Sequence, residues 1–513
     1  MGIHALAPRI ARGTLPAWLV AAGSAACGGS PVDELLPPPQ PLRWARAAGG
    51  PGDDVPRAVV PATEGFWVLV ASAQGEPERP DGLRAGFNLL RLDSDGQRLD
   101  TVRLGLGRAE AVRMDLAGGI AQGWALAGAV SGPAFSAFGQ AFEPTEGGGV
   151  DGFVARWLPG RAEAAWGRRF GGAGATEIRS VQVDDSGRTF VAGRFTRDLT
   201  IPLRADGSGP VATAQARGRT DGFLAAFGPD GRREFLAGLG GPGSDEVLLG
   251  RTSAGSWVVA GQFEDRLFGP MEELLEGSGG PEPFVARIRT NAGSPPEYSV
   301  QWIRTLGEGS GSIDVIALDA GPFRVAVGGS FSGARQVDRV ELQSGGGVDG
   351  YVVELAAAGG RALRGWASGG LGPALVTGVS LRATGGAWAT GSFRGTLSAG
   401  SAELRSVGDE ELTGFGVDLD AAGSGPTWSA GFGFRLGDGP GLSTGGAMAT
   451  VPGGLLDPGG LGEERFMAAV LGGRVGFGPA ALESAGETDV LLLRFGLPLP
   501  VSVGVQPRGA QAP

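Results

Sequence analysis

Residues 147–160 read GGGVDGFVARWLPG, residues 218–231 read GRTDGFLAAFGPDG, and residues 345–360 read GGGVDGYVVELAAAGG. Each is a short apolar run opened by Asp-Gly and closed by a Gly-containing turn, the pattern of a β-strand flanked by breakers. Aligning the phrase along the chain places its aromatic or apolar anchor at Phe87, Phe153, Phe223, Phe284, Tyr351, Phe415 and Val490. The intervals are 66, 70, 61, 67, 64 and 75 residues. Recurrence at a nearly fixed period is the signature of a repeat architecture.

Two further landmarks keep step with the phrase. One is a strand ending in small-Gly-x-Phe: VAGRF (191–195), VAGQF (259–263), VGGSF (327–331) and ATGSF (389–393), with the weaker LAGAV at 126–130. The other is a strand opened by an aromatic, at Trp44, Trp166, Phe235, Trp302, Trp366 and Trp428. Charged residues at the fourth position of the phrase (Arg156, Arg287, Glu354, Asp418) read as a strand with one partly wet face. Asp95-Gly96 and Pro229-Asp230-Gly231 are tight-turn signals. Asp93-Ser94-Asp95-Gly96 and Asp184-Asp185-Ser186-Gly187 share residues with a calcium loop but lack its spaced ligands, so they too read as hairpin turns.

A unit of this length holds four short strands, and such a sheet, apolar on both faces, cannot bury them alone. Stacked radially, the units form an all-β, seven-bladed β-propeller over 41–498. The first landmark strand, around Trp44, has no phrase before it; the last, TDVLLLRF (488–495), has no aromatic strand after it. Pairing these two closes the ring with strands from both termini and leaves no open edge.

The D-G-[FY]-[VL] strand, the Trp strand followed by Gly-Gly, and the run VQVDDSGRTFVAG at 181–193 resemble the bacterial β-propeller repeat called SBBP. The resemblance covers roughly 41–498, fits the third to fifth repeats best, and is weakest around the Gly-rich stretch 437–462. It implies a propeller in a secreted or lipid-anchored protein, and no particular reaction.

The first 26 residues have the form of a signal peptide: Arg9 and Arg12, the apolar run LPAWLVAA (15–22), then small residues. Ser24-Ala25-Ala26-Cys27 resembles a bacterial lipobox, although Ser24 stands where Leu is usual. That resemblance implies acylation of Cys27, and Gly28 rather than Asp after it implies the outer membrane. Residues 27–40 then form a lipidated, Pro-rich tether, and 499–513 a disordered tail. The alternative reading is ordinary signal cleavage beside an incidental Cys.

Composition narrows the chemistry. The chain of 513 residues has 98 Gly without a Gly-x-y period, which excludes collagen, and a net charge of −11 without a basic stripe, which disfavours nucleic acid. Every basic residue but His4 is Arg. His4 and Cys27 are the only His and Cys, so the body of the chain offers no Ser-His-Asp triad, no imidazole or thiolate metal site, and no Lys for a Schiff base. Carboxylates remain. Asp54, Glu177, Asp245, Asp314 and Asp438 each follow an aromatic strand by ten to twelve residues. Two readings stay open: a partial carboxylate ring at the channel mouth able to hold calcium, or separate loop caps. No catalytic pair stands out. The expected function is that of a monomeric, envelope-anchored, non-enzymatic binding or scaffolding lipoprotein for a protein or polysaccharide partner, without a cofactor. The alternatives are a structural envelope protein and a carboxylate-dependent glycan-active enzyme.

Overall fold

The computed structural model describes residues 42–48, 54–61, 65–72, 86–104, 110–119, 123–137, 139–145, 149–161, 163–253, 256–269, 273–291, 297–382, 385–399, 402–405, 413–419, 426–432, 448–451, 464–471, 474–477, 480–483 and 489–495. Among them there is no helix; the architecture is a β-propeller. Cys27, Asp438, the signal and tether segments, the tail and most of 437–462 lie outside the described residues.

The third blade shows how the repeat is built. Thr176–Val183, Thr189–Phe195, Asp221–Phe227 and Arg233–Leu239 form an antiparallel sheet in that order. Asp184 turns the chain between the first two strands: its Oδ1 accepts the N–H groups of Ser186 (3.0 Å) and Arg188 (2.9 Å). Five other blades, spanning 54–103, 110–170, 246–305, 313–367 and 374–432, repeat this strand order. A further sheet joins Leu42–Ala48 to Asp489–Phe495, Glu464–Leu471 and Met448–Val451. In it Leu42 stands opposite Phe495 and Ala48 opposite Val490, so the two terminal strands do pair. Contacts between neighbouring blades run through their first strands, which are therefore the inner ones.

All seven residues of Asp221–Phe227 are buried, because a blade lies against each face. The small-Gly-x-Phe strand and the recurring phrase meet here. Phe195 packs edge-on against Phe223, Phe263 against Phe284, Phe331 against Tyr351, and Phe393 against Phe415, with centroids 6.0–6.3 Å apart. Each such pair contributes about 1 kcal/mol beyond area burial.

Burial corrects one expectation. Arg156, Arg287 and Glu354 do not lie on a wet face; they are buried between blades. Arg156 donates to the carbonyls of Trp124 (2.9 Å) and Trp157 (2.5 Å), and Arg287 to that of Ala357 (2.9 Å). Glu354 accepts from Arg324 (2.9 Å) and Arg364 (2.8 Å). Desolvation lowers the Arg156 pKa to about 10, which leaves it cationic at neutral pH.

The four-strand reading of the repeat has no place for a second feature. Between second and third strands the chain makes an extra hairpin: Phe135–Ala137 with Gln140–Phe142, Leu199–Pro202 with Val211–Ala214, Arg266–Phe268 with Glu273–Glu276, and Thr396–Ala399 with Ala402–Arg405. In the fifth blade the strands Arg324–Val337 and Val340–Ala356 simply run on. Sheets radiating from an axis diverge at the rim, and close packing requires the gap to be filled. The hairpins fill it. Leu199, Ile201 and Ala214 pack with Trp166 and Phe170 of the preceding blade, Leu267 with Phe235 and Leu239, and Val337 and Leu342 with Trp302 and Leu306.

These hairpins are tied to the loop that ends the preceding blade. Thr200 N–H donates to Gly171 O (3.1 Å), Gly240 and Phe268 exchange bonds of 3.0 and 3.1 Å, and Ser398 N–H donates to Ser368 O (2.9 Å). Contact is so close that the Gly-Gly after the outer strand has a steric cause. A Cβ on Gly172 would lie 2.0 Å from Asp198 O, and one on Gly241 1.9 Å from Arg266 O. Gly172→Ala and Gly241→Ala are therefore each expected to lower stability by about 1–3 kcal/mol. Gly347→Ala, where a Cβ meets nothing within 4 Å, is the control expected to be neutral. Urea unfolding of the three variants checks this.

Candidate functional site at the channel mouth

The inner strands share a β-bulge near their start, between Ile178 and Ser180, Val247 and Leu249, Val315 and Ala317, and Val376 and Gly378. The residue before the bulge takes the same register in each blade: Glu177 opposite Arg194, Glu246 opposite Gln262, Asp314 opposite Ser330, Leu375 opposite Ser392. Its carbonyl sits where a Cβ would be on the glycine of small-Gly-x-Phe, 1.9 Å at Gly193 and 2.0 Å at Gly329. The motif thus decodes as Gly for the bulge, x toward the mouth, and Phe into the core.

The structure places the sequence-predicted acids as follows. Glu177 and Asp314 occupy equivalent positions in the third and fifth blades. In the fourth blade that position belongs to Glu246, and Asp245 sits one residue outside the strand. Asp54 begins the first blade's inner strand, one residue before the shared register, and is buried. Asp438 lies outside the described residues. Among the described residues no three His, Cys, Asp or Glu side chains converge as a metal cage.

Arginines separate the acids instead. Arg194 reaches Glu177 of its own blade (3.0 Å) and Glu246 of the next (3.4 Å), and Arg179 reaches the same two carboxylates at 3.3 and 3.4 Å. One blade on, Gln262 Nε2 donates to Asp314 Oδ1 (3.2 Å). Burial raises the Asp314 pKa, and hydrogen bonds from Gln262 and Ser330 oppose that rise. The Arg–Glu side chains keep 17–34% exposure, so each pair is worth about 1 kcal/mol or less. Chemically this is a belt of alternating donors and acceptors with its charges largely cancelled. Arg179, Arg194 and Gln262 escaped the sequence reading. For Arg194 and Gln262 the signal was the variable x before the Phe, which is Arg, Gln, Ser and Ser in successive repeats; Arg179 is the bulge residue of the inner strand, which no motif marked.

The remaining acids hold loops. Asp245 Oδ2 accepts Gly241 N–H (2.6 Å) and its Oδ1 accepts Glu264 N–H (3.1 Å). The Asp of the recurring phrase clasps the chain where it re-enters the blade from the hairpin. Asp151 accepts Thr145 N–H (3.1 Å) and Arg169 Nε (2.7 Å), Asp221 accepts Arg217 N–H (2.9 Å), and Asp349 accepts Gly345 N–H (2.6 Å). The following glycine lets the next blade approach: a Cβ on Gly222 would lie 3.0 Å from Val247.

No protein-family model and no curated protein matches this chain. Two solved structures resemble it distantly. A quinohemoprotein alcohol dehydrogenase from Comamonas testosteroni is 10% identical, with a TM-score of 0.38, covering 92% of this chain and 78% of that one. The quinohemoprotein alcohol dehydrogenase ADHIIG from Pseudomonas putida HK5 is 9% identical, with a TM-score of 0.36, covering 94% and 80%. Likeness at this level carries no activity to the present chain.

Asp245 gives a pH prediction. Burial is the main cause that raises its pKa to about 6; Asp221 and Glu264 add to the rise, and its two backbone bonds oppose it. A carboxyl raised above its unfolded value of about 4 stabilises the fold below that pH, and the contribution is lost as pH rises through about 6. The melting temperature should therefore fall between pH 4 and 7, and Asp245→Asn should flatten that part of the profile in calorimetry.

Proposed function

We propose that this chain is a non-enzymatic binding or scaffolding module of the bacterial envelope: a seven-bladed propeller on a lipid anchor at Cys27, engaging a polysaccharide or protein partner. The observation that carries the reading is the channel-mouth belt, where Arg179, Arg194 and Gln262 occupy the carboxylates. A general acid–base pair needs carboxyls whose environments push their pKa values apart beside an open site. A belt of paired donors and acceptors suits recognition of a polar surface, and the reading requires no cofactor. The repeat's likeness to the SBBP type and the lipobox-like Ser24–Cys27 support an envelope setting.

Ring closure belongs to the same proposal. Met448–Val451 packs against Ala374–Leu381 on one side and Asp54–Pro61 on the other, the two places an inner strand of a seventh blade would touch. Leu42–Ala48 is the outer strand of that sheet. Deleting 42–48 should then lower the melting temperature of the whole propeller; a deletion variant that melts like the parent refutes closure.

The binding role is tested by thermal unfolding of the full chain with calcium, with chelator, and with a panel of envelope polysaccharides. A ligand at 100 times its Kd adds about 2.7 kcal/mol. A rise with one polysaccharide supports the role. A rise with calcium alone supports the cation-ring alternative. Loss of labelled palmitate from Cys27→Ser checks the anchor.

A further inference from the structure

The end of the propeller opposite the belt carries an unusual patch on the fifth blade. Large apolar side chains that are exposed among the described residues are few, and Phe323, at 82%, is their one aromatic. It stands on the turn Gly321-Pro322-Phe323-Arg324, which links the inner strand to the second. The turn is rigidly held. Gly321 N–H donates to Arg324 O (2.8 Å), and Ala357 N–H donates to Phe323 O (2.9 Å). Arg324 is anchored inward, on Glu354 Oε2 (2.9 Å) and on the carbonyls of Arg382 (2.7 Å) and Gly386 (3.3 Å). A ring held in water by this turn forfeits the roughly 2 kcal/mol that burial would supply.

Its neighbours are basic. The turn 356–361, bonded to Phe323, carries exposed Arg361, and exposed Arg304 directs its Nε to Gly359 O (3.4 Å). Leu363, 51% exposed, follows two residues later. Arg324 and Arg364 share the buried carboxylate of Glu354, and the Asp338 carboxylate accepts Ala362 N–H (2.6 Å). Arginines thus outnumber acids in this network, the reverse of a chain whose net charge is −11.

We propose that Phe323, Leu363, Arg304 and Arg361 form a docking surface for an acidic polysaccharide. The Phe323 ring stacks on the apolar face of a sugar, and the guanidinium forks take uronate carboxylates on adjacent units. The forks match a planar carboxylate two bonds at a time. Two apolar side chains bury too little area for stable seating in a bilayer, where affinity scales with buried apolar area. This assignment rests on the binding role above and narrows it to one face and one class of ligand.

The test is calorimetric binding of the full chain to polygalacturonate, neutral dextran, polyglutamate and phosphatidylglycerol-containing vesicles. The wild type is compared with Phe323→Ala and with Arg304→Gln/Arg361→Gln, whose melting should be unchanged. Polygalacturonate is expected to bind, with Kd raised about tenfold or more by each variant and weakened by salt. Failure to bind polygalacturonate overturns the proposal. Binding that both variants leave intact overturns this placement, while the broader binding role survives. Equal or tighter binding of polyglutamate or vesicles overturns the choice of a polysaccharide.

Discussion

The rest of the structure follows from the divergence of radial sheets. Inner strands can touch their neighbours directly, but toward the rim the gap widens, and apolar blade faces left across it would be wet. The chain resolves this by inserting a hairpin between the second and third strands of each described blade from the second to the sixth. The hairpin's apolar side chains seat against the outer strand of the blade before, as Leu199 and Ile201 do against Trp166 and Phe170. Its backbone then bonds the preceding loop, and that closeness leaves glycine as the residue that fits at 172 and 241.

Filling the wedge moves polar groups into the interior, and their bonding explains residues that look misplaced. Arg156 and Arg287 are buried yet donate to carbonyls at the turns, so neither charge is stranded. Trp166 and Trp302 lie in the core while their indole N–H groups reach carbonyls of the next blade, Pro229 O at 3.0 Å and Ala357 O at 2.8 Å. The Asp of the recurring phrase anchors the returning hairpin. Neighbouring blades are therefore bound at both ends as well as packed.

The two ends of the propeller then differ in chemistry. At the channel mouth, side chains at one register alternate Glu, Arg, Gln and Asp, and their charges largely cancel. On the opposite end, the fifth blade presents an exposed Phe323 beside arginines. With His and Lys missing from the body of the chain, its ionisable side chains are almost all arginines and carboxylates.

Sequence alone determined the repeat, the all-β class and the pairing of the first and last landmark strands. These are local matters: strand length, Asp-Gly turns and the spacing of aromatic anchors recur in the chain itself. The Gly-Gly after the aromatic strand was visible as a constant, but its reason was not, because the carbonyl that crowds Gly172 belongs to Asp198 of the next blade. The acid positions were half legible. Counting from the aromatic strand located Glu177 and Asp314, but in the fourth blade it fell on Asp245, one residue short of Glu246, because loop lengths vary while register does not. That Arg194 would bridge two blades, that Arg156 would be buried, and that Phe323 would be left in water were decided by tertiary structure alone. Each depends on which blade lies across the gap, and that is a property of the packed blades rather than of any window of sequence.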